Sequence, residues 1–359
     1  MKFIYKITFL FLLIPFITSA NVDGKKHEKT KKISKKYKVN SDAKVAIDNK
    51  YGDIKITTWS KNSVEIEVNI TVKGDDLDRV ENMLENIDVE FEASSNFVSA
   101  KTTLERNKRS WSFWNNNKNT NYKINYTIKM PKTNDVDLDN DYGSIFLDNL
   151  SGKADINCDY GKISIGQLSA ENNSINLDYC SRSNIGFMKS GDLNIDYSKI
   201  TVEEAESVKS NSDYSSVKFE KIGNLDFNID YGSLSVGEAT NVNGNSDYAS
   251  MSFETINKNL KIDTDYGAIS IKKLAKGFES IDIDAQYAGI KIGVESNAVF
   301  NFVLDLQYAG FKADDNNMEF YKKISKSTKK YYEGKYGKGN TNSKIRIRSQ
   351  YGGVSLREY

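Results

Sequence analysis

Aspartates recur at regular intervals through the middle of the chain, each directly before a tyrosine. Carboxylate oxygens are the ligands that Ca²⁺ prefers, so a row of them could hold cations. The sequence lacks the glycine-rich nonapeptide loop of Ca²⁺-binding rolls, and Asx turns or solvent would also satisfy such carboxylates. Ca²⁺ is therefore the one candidate cofactor, and its candidate ligands are Asp141, Asp159, Asp178, Asp196, Asp213, Asp230, Asp247 and Asp265.

Residues for other kinds of catalysis are scarce. The one histidine, His27, lies in a lysine-rich segment, which leaves imidazole-based catalysis and zinc binding without a residue in the body of the chain. Nucleophile-elbow, P-loop and dinucleotide-binding motifs are missing. Paired carboxylates of the glycosidase kind remain available, but a catalytic pair should be singular, whereas these aspartates repeat in every unit. We therefore expect a non-enzymatic protein.

A tyrosine marks each repeat, most often as Asp-Tyr-Gly, at successive spacings of 17 to 21 residues. A single unit of this size cannot bury its apolar rows, whereas stacked units can. The sequence therefore predicts an all-β, single-chain β-solenoid similar to a parallel β-helix, with a right-handed course favoured. A sandwich of independent hairpins would need different turn chemistry at alternating positions. The repeated residues are Tyr142, Tyr160, Tyr179, Tyr197, Tyr214, Tyr231, Tyr248, Tyr266, Tyr287 and Tyr308, with outlying copies at Tyr51 and Tyr351.

Each repeat alternates apolar and polar residues up to its tyrosine. Counted from that tyrosine, positions −6, −4 and −2 are apolar or small, while −3 is mostly Asn or Asp and −1 is mostly Asp. This period of two places one row inward and the other outward on a strand. Beyond the tyrosine the apolar row shifts to +3, +5 and +8, which predicts a bend at Tyr-Gly. Glycines such as Gly143 and Gly161 are expected to supply a positive φ there.

Stacked turns bring equivalent positions to about 4.8 Å from each other, so the sequence predicts ladders of like residues. Tyrosine would stack on tyrosine and asparagine would bond asparagine, which are structural roles. The aspartates would lie beside like charges, which destabilises a sheet unless something compensates. A hydroxyl row is also expected at position +4, from Ser164, Thr201, Ser235, Ser252 and Ser270.

The segments before the repeats differ in composition. Residues 1–20 combine Lys2 and Lys6 with an apolar run and a small-residue cleavage site, the pattern of a signal peptide, and the run is too short to favour spanning a bilayer. Residues 21–40 are lysine-rich and predict a linker. In contrast, residues 135–313 hold 28 acidic against 15 basic residues, a charge balance that should repel nucleic acid.

Residues 41–134 predict an N-terminal β/cap region. It contains an early repeat copy, VAIDNKYGDIKI, strands near 64–72, 89–91, 98–104 and 122–130, and a short helix at 75–87 capped by Asp75 or Asp76. Between the last two strands stand three aromatic residues among Asn and Lys. They either form a contact site for glycan or protein, or fold back over the open end of the solenoid. These residues are Trp111, Phe113 and Trp114.

Residues 314–359 follow the solenoid repeats of 135–313 and interrupt their rhythm. The pattern predicts a basic loop with a helical turn near 320–325 and a Gly-rich stretch at 334–339, and then closing strands in KIRIRSQYGGVSL. Such an end would protect a sheet edge from pairing with other chains.

The chain has two cysteines, Cys158 at position −2 and Cys180 at position +1 of adjacent repeats. Two cysteines in a chain of this length do not make a disulfide framework. The predicted bend places them on different sides of a corner, so we expect no disulfide and interpret each as a small filler.

One stretch carries a resemblance to a known family. In YTIKMPKTNDVDLDNDYGSIFLDNLSGKADINCDYGKISI, a strand ends in Met130-Pro131, an alternating strand enters Tyr142-Gly143, and a Leu150-x-Gly152 link leads into Tyr160-Gly161. This pattern resembles the bacterial putative-adhesin β-strand-repeat family, a domain of unknown function similar to adhesin-head GIN domain proteins. The resemblance covers roughly residues 40 to 359. It implies an exported β-solenoid of a Bacteroidetes-like envelope. The family has no defined catalytic or binding residues that could be assigned to positions of this sequence.

Together these features favour a non-enzymatic exported protein of the cell envelope or surface, an adhesin or scaffold that presents polar ladders to an unknown protein or glycan. One alternative is a Ca²⁺- or polysaccharide-binding module that uses the Asp and Ser/Thr ladders. Another is a periplasmic sensor linked to envelope stress. We expect a monomer without a transmembrane segment after signal cleavage, located in the periplasm, on the outer-membrane surface or outside the cell.

Overall fold

The computed structural model describes residues 26–104, 120–313 and 315–358. Strands dominate these residues, and no helix among them is long and apolar enough to cross a membrane. The predicted signal peptide lies outside the described residues. The elements before the regular repeats are β1 (His27–Lys38), β2 (Lys44–Lys50), β3 (Ile54–Trp59), β4 (Ser63–Gly74), α1 (Leu77–Glu85), β5 (Ile87–Ala93), β6 (Phe97–Leu104) and β7 (Asn121–Pro131).

The repeats form the β-solenoid that the sequence predicts. Each strand pairs in parallel and in register with the equivalent strands of its neighbours in the stack. We call one corner tyrosine, with the strand segments on both sides of it, a coil. The strands are β8 (Asp135–Asp141), β9 (Ser144–Leu147), β10 (Ala154–Asp159), β11 (Lys162–Leu168), β12 (Asn173–Asp178), β13 (Ser183–Asp196), β14 (Lys199–Asp213), β15 (Ser216–Asp230), β16 (Ser233–Asp247), β17 (Ser250–Leu274), β18 (Ser280–Val294), β19 (Phe300–Gln307) and β20 (Phe311–Lys312).

A continuous apolar core runs through the inside of the coils. The inward rows at −6, −4 and −2 are buried, as at Leu225, Phe227 and Ile229, which are 0–4% exposed. The rows at +3, +5 and +8 are buried as well, which confirms the predicted change of parity. Full burial of such a side chain contributes about 1.5–3 kcal/mol. One coil has too few of these side chains to be stable alone, so each depends on the coils above and below it.

The tyrosine itself makes the corner. All twelve corner tyrosines have positive φ, from 48° at Tyr197 to 63° at Tyr51, which is the left-handed region. The prediction that the following glycine supplies the positive φ is wrong, because Gly143 and Gly161 lie outside that region. They are small for a different reason, since a Cβ on Gly161 would lie 1.8 Å from the carbonyl oxygen of Gly143 in the neighbouring coil. Close stacking of the coils therefore selects a small residue after the tyrosine.

The N-terminal region caps one end of the stack. Strands β2 and β3 form the coil of Tyr51, which stacks on β8 and β9 of the first regular repeat. The opposite side of this coil is covered by β6 and β7, and β5, β4 and β1 extend that cover through antiparallel pairs. The helix lies where the sequence predicts it, and its N-cap Asp76 accepts a hydrogen bond from the Arg79 amide at 3.0 Å.

The lysine-rich segment expected to be a linker is instead, from His27 onward, the edge strand β1. Its lysines alternate in exposure and pair with acidic residues of β4, with Lys32 and Lys36 at 2.8 and 2.7 Å from Glu67 and Glu65. The segment is ordered because β4 offers a free edge with the opposite charge, which a count of lysines alone does not reveal.

The C-terminal region contains β21 (Met318–Ser325), β22 (Lys329–Tyr336), β23 (Lys344–Gln350) and β24 (Val354–Glu358). The expected basic loop with a helical turn near 320–325 is wrong, because β21 and β22 form an antiparallel hairpin whose second strand covers β19. The closing strands also lie elsewhere than expected. Strand β23 pairs in parallel with β18 on one side and β19 on the other, so the coil of Tyr351 is inserted between the coils of Tyr287 and Tyr308.

Charge complementarity accounts for this insertion. Arg348 lies in register between Asp284 and Asp305, and Arg346 lies between Asp282 and Val303. Arg346 Nη2 lies 2.5 Å from Asp282 Oδ1, and the Arg348 guanidinium bonds the Asp284 carboxylate through both Nε and Nη2. An aspartate in place of Arg348 would stack like charges on both sides, and an aspartate in place of Arg346 would do so on the β18 side. Both arginines therefore meet carboxylates in this slot.

We expect the double charge reversal Arg346→Glu/Arg348→Glu to loosen the inserted coil. It replaces two ion pairs by repulsion from Asp282 and Asp284, at a cost on the order of 1–2 kcal/mol for partly screened charges. Hydrogen exchange followed by mass spectrometry should become faster in β23 and β19, while β13 to β16 keep their protection.

Arg357→Glu is the matched control for this experiment. The Arg357 guanidinium bonds the Ser355 hydroxyl at 3.2 Å and lies on the same C-terminal segment. This variant should exchange like the wild type. Unchanged exchange in β23 and β19 after the double reversal would mean that charge does not hold the coil in its slot.

Candidate partner-binding face

The corner tyrosines form one continuous stack along the solenoid, which we call the tyrosine ladder. Neighbouring ring centroids lie 4.7–5.1 Å apart, and the ring planes are within 7° of parallel. Tyr122 closes one end with an edge contact to Tyr51 at 5.0 Å. In spatial order the ladder consists of Tyr51, Tyr142, Tyr160, Tyr179, Tyr197, Tyr214, Tyr231, Tyr248, Tyr266, Tyr287, Tyr351 and Tyr308.

Backbone hydrogen bonds continue through the corner despite its strained conformation. The Tyr142 amide donates to the Asp159 carbonyl of the next coil at 2.9 Å, and Tyr214 donates in the same way to Asp230 at 3.0 Å. A left-handed conformation costs a non-glycine residue about 1–2 kcal/mol. A stacked aromatic pair returns about 0.5–1.5 kcal/mol beyond its buried area, and each inner tyrosine makes two such pairs. Stacking thus offsets the strain and favours an aromatic residue where glycine would relax the backbone.

The ladder presents its hydroxyls and ring edges outward. Exposure ranges from 38% at Tyr51 to 54% at Tyr214, although the ring faces are covered by the neighbouring rings. From Tyr142 to Tyr287 the hydroxyls make no hydrogen bond to other described residues. Loss of water around the ring, followed by the neighbouring phenols, raises the pKa of Tyr197. From Tyr142 to Tyr287 the phenol hydroxyls form a row of hydrogen-bond donors.

The candidate cation ligands form a second row beside the ladder, which we call the aspartate column. It runs in register from Asp141 to Asp265. Loss of water, and then the charges of Asp141 and Asp178, raise the pKa of Asp159. Asp213 behaves in the same way between Asp196 and Asp230. The column therefore combines exposed hydrogen-bond acceptors with an unfavourable like-charge interaction.

Uncharged or basic residues terminate the aspartate column. At one end Lys50 takes the −1 position and lies 2.8 Å from Asp141. At the other end Gln286, Gln350 and Gln307 stack in register, which places the glutamines of three coils together. The Lys50 contact was not predicted, although VAIDNKYGDIKI shows a lysine where most other copies have aspartate. The like charges are thus confined to the middle of the stack.

The carboxylates of the column lie along a line and do not converge. Among residues 26–104, 120–313 and 315–358, no group of three His, Cys, Asp or Glu side chains is arranged to hold a metal ion. A Ca²⁺ ion prefers six to eight oxygen ligands, so a single site here would need ligands from solvent or from a partner. Ca²⁺ binding by the column stays a prediction.

Polar ladders continue on both sides of this row. At position −3, Asn176 donates to Asn157 at 2.6 Å, and Asn194 donates to Asn176 at 2.7 Å. On the far side of the corner, the predicted +4 row is in register, with Thr201, Lys218, Ser235 and Ser252 in consecutive coils. The asparagine ladder is self-satisfied, in contrast to the tyrosine hydroxyls and the aspartates.

The column widens into a cleft of about 560 Å³ near the N-terminal cap. Strand β6 forms one wall with Lys101 and Thr102, and the outward residues of five coils form the floor. Lys101 lies 2.8 Å from Asp48, so the wall is anchored to the floor by an ion pair. The floor residues include Asp139, Asp141, Asp159, Asp178 and Asp196. The predicted aromatic contact site, Trp111, Phe113 and Trp114, lies outside the described residues.

The prediction that the two cysteines lie on different sides of a corner is wrong. Their sulfur atoms lie 3.6 Å apart in the interior. After the left-handed tyrosine, position +1 faces inward again, as does −2, so a corner brings these two positions of adjacent coils together. The small residue found at +1 in every repeat was the available signal.

Comparison with known proteins finds similar solved structures at low sequence identity. No protein-family profile and no curated protein sequence matches this chain. A solved putative adhesin from Parabacteroides merdae is 14% identical, over 72% of this chain and 95% of its own, with a TM-score of 0.40. A putative adhesin from Parabacteroides distasonis is 12% identical, over 67% and 97%, with a TM-score of 0.37. These solved structures are named putative adhesins, as is the family that residues 126–165 resemble.

Substitutions at Tyr214 should separate ring stacking from backbone strain. Tyr214→Phe keeps both stacked pairs and should change stability by less than about 0.5 kcal/mol. Tyr214→Ala loses both pairs and keeps the strain, so we expect a loss of about 1–3 kcal/mol. Tyr214→Gly loses the pairs but relaxes the backbone and should fall between the two. Hydrogen exchange in β14 and β15 measures the local free energy of opening. An alanine variant as stable as the phenylalanine variant would mean that stacking contributes nothing.

Relief of like-charge repulsion should stabilise the aspartate column. Because the pKa of Asp213 is higher in the folded protein than its ordinary 3.8, the ionised form opposes folding, and this penalty disappears as the pH falls through the raised pKa. Asp213→Asn should therefore raise the free energy of unfolding by a few tenths of a kcal/mol at neutral pH and by nothing well below pH 3.8. Denaturant titration at several pH values measures the difference.

Asp226→Asn is the control for this change. Asp226 lies on the neighbouring strand β15, between Lys209 and Asn243, and it accepts a hydrogen bond from Asn243 at 2.9 Å. This variant should not gain stability. A pH-independent gain at Asp213, or an equal gain at Asp226, would contradict the like-charge explanation.

Proposed function

We propose that this protein is a non-enzymatic, exported module of the cell envelope or surface, an adhesin or scaffold that holds a partner along its tyrosine ladder and aspartate column. The observation that carries this proposal is the row of phenol hydroxyls that lack a partner within the described residues and repeat every 4.7–5.1 Å beside carboxylates. A hydroxyl that is left in water adds nothing to the stability of the fold, whereas a hydrogen bond to a partner contributes about 1 kcal/mol net.

The geometry favours an extended partner. Equal spacing over the eight coils from Tyr142 to Tyr266 offers the same phenol donor and carboxylate acceptor again and again, which matches a polymer whose polar groups also repeat. The ring faces are covered within the stack, so a sugar cannot lie flat on them except at an end. Contact is therefore made through hydroxyls, ring edges and carboxylates. The acidic charge of residues 135–313 favours a partner that is neutral or carries positive groups.

Repetition also supports a binding role over catalysis. An active site needs one place at which groups differ from their surroundings, whereas here every coil offers the same groups. Names of the similar solved structures, which include a putative cell adhesion protein from Clostridium sporogenes and a putative lipid binding protein, belong to those proteins. They agree in kind with a role at a surface.

A variant that removes hydroxyls without removing rings tests the proposal. We expect Tyr214→Phe/Tyr231→Phe/Tyr248→Phe to bind isolated cell envelopes of the producing organism, or its best hit on a glycan array, about fivefold or more weakly than wild type. This is the effect of losing one or more hydrogen bonds of roughly 1 kcal/mol each. Thermal unfolding should stay unchanged, because the stack remains.

Thr201→Ala/Ser235→Ala/Ser252→Ala removes three hydroxyls from the other side of the corner and serves as the matched control. It should bind like wild type.

Equal binding by the phenylalanine variant, or absence of binding to every envelope and glycan, would overturn the proposal. Binding that disappears with a chelator would favour the Ca²⁺-dependent alternative. Binding that is lost in Trp111→Ala/Trp114→Ala alone would place the contact site at these aromatic residues. Proteolysis of intact cells distinguishes a surface protein from a periplasmic sensor.

A further inference from the structure

The two cysteines occupy a special place in the core. They are the two cysteines of a 359-residue chain, they lie in adjacent coils, and each is at most 1% exposed. Their sulfur atoms are 3.6 Å apart, and the Cys180 thiol donates to the Cys158 carbonyl at 3.0 Å. Two residues placed only to fill space would have no reason to meet.

Neighbouring coils show that cysteine is not needed for packing at either position. Position +1 is serine in the next two coils, where Ser198 and Ser215 donate to backbone carbonyls at 2.6 and 2.7 Å. Position −2 is serine at Ser212 and Ser246. Serine thus occupies both places elsewhere in the same solenoid, although the buried Ser212 and Ser246 hydroxyls at −2 have no hydrogen-bond partner among the described residues. The pairing of thiols in this one corner therefore points to their chemistry.

We propose that Cys158 and Cys180 are a modification site that becomes an intramolecular disulfide, which fastens the coil of Tyr160 to the coil of Tyr179. The proposal rests on the export proposed above only for its oxidising surroundings, where disulfides persist. A disulfide requires sulfur atoms about 2.05 Å apart, so the pair must close by roughly 1.5 Å. Side-chain rotation at a corner with a small neighbouring residue can supply such a movement.

The reaction balances with a disulfide donor of the low-molecular-weight or thiol–disulfide oxidoreductase class. One protein thiolate attacks the donor disulfide, forms a mixed disulfide and releases the first donor thiol. The second protein thiolate then attacks the mixed disulfide, forms the Cys158–Cys180 bond and releases the second donor thiol. The protein loses two electrons and two protons, and the donor takes up both.

The burial of both sulfur atoms determines when the disulfide can form and how long it persists. Contact with the Cys158 thiol lowers the pKa of Cys180, so Cys180 ionises first within the pair. A donor cannot reach either sulfur in the folded coils, so the bond forms before these coils close or during a local opening. The same burial then shields the disulfide from reductants. The bond spans 22 residues and joins two consecutive turns of the stack.

The experiment uses the full chain refolded with oxidised glutathione as the probe. The product should be lighter than the reduced protein by about 2 Da, the mass of two hydrogens, and should take up no iodoacetamide in denaturant. Trypsin should then release the peptides 154–162 and 163–182 joined to each other, and reduction should separate them.

Stability provides a second readout. Amide exchange in β10 to β12 should be on the order of tenfold or more slower in the oxidised than in the reduced protein, because the link restricts local opening. Cys158→Ser/Cys180→Ser, with residues that the neighbouring coils already use, should exchange like the reduced wild type. Full alkylation of both cysteines after oxidative refolding, or a disulfide between two chains, would overturn the proposal. Neither result would affect the binding experiment on the tyrosine ladder.

Discussion

In-register, parallel stacking of coils is the constraint on which the rest of this structure depends. Each coil buries its apolar rows only against its neighbours, and the backbone bonds run from coil to coil even at the strained corners. A slip of one residue would turn every inward side chain outward. The identical spacing of −6, −4, −2, +3 and +5 rows keeps this register over the whole length. All ladders on the surface are consequences of the same alignment.

The corner tyrosine connects this constraint to the candidate function. A left-handed corner would be easiest for glycine, yet the chain uses tyrosine twelve times. Because the rings stack on each other, the corner regains the energy that its backbone conformation costs. The same geometry leaves the hydroxyls pointing to solvent in a straight row. The same tyrosine therefore serves two roles: its ring stabilises the corner, and its hydroxyl contributes to a repeated surface.

The aspartate column has a different balance. Loss of water, and then the neighbouring carboxylates, raise the pKa of Asp159, Asp213 and Asp265, so these charges act against the fold. The neighbouring asparagine ladder, in contrast, satisfies itself. The chain limits the penalty with Lys50 at one end and glutamines at the other. It also places arginines in the inserted C-terminal coil where that coil meets aspartates. Charge thus determines which coils can be neighbours, while the apolar rows are alike in all of them.

The sequence by itself determined the solenoid, the inward and outward rows, the tyrosine ladder and the short capped helix, because each follows from a local period that repeats. Tertiary structure alone decided three other features. Strand β1 is ordered through a long-range antiparallel partner, the coil of Tyr351 enters the stack between two earlier coils, and Cys158 meets Cys180. The period predicts what each position does within its coil. It carries no information about which non-consecutive segments meet, since that depends on free edges, on charge between distant strands and on the direction of the chain after a left-handed residue.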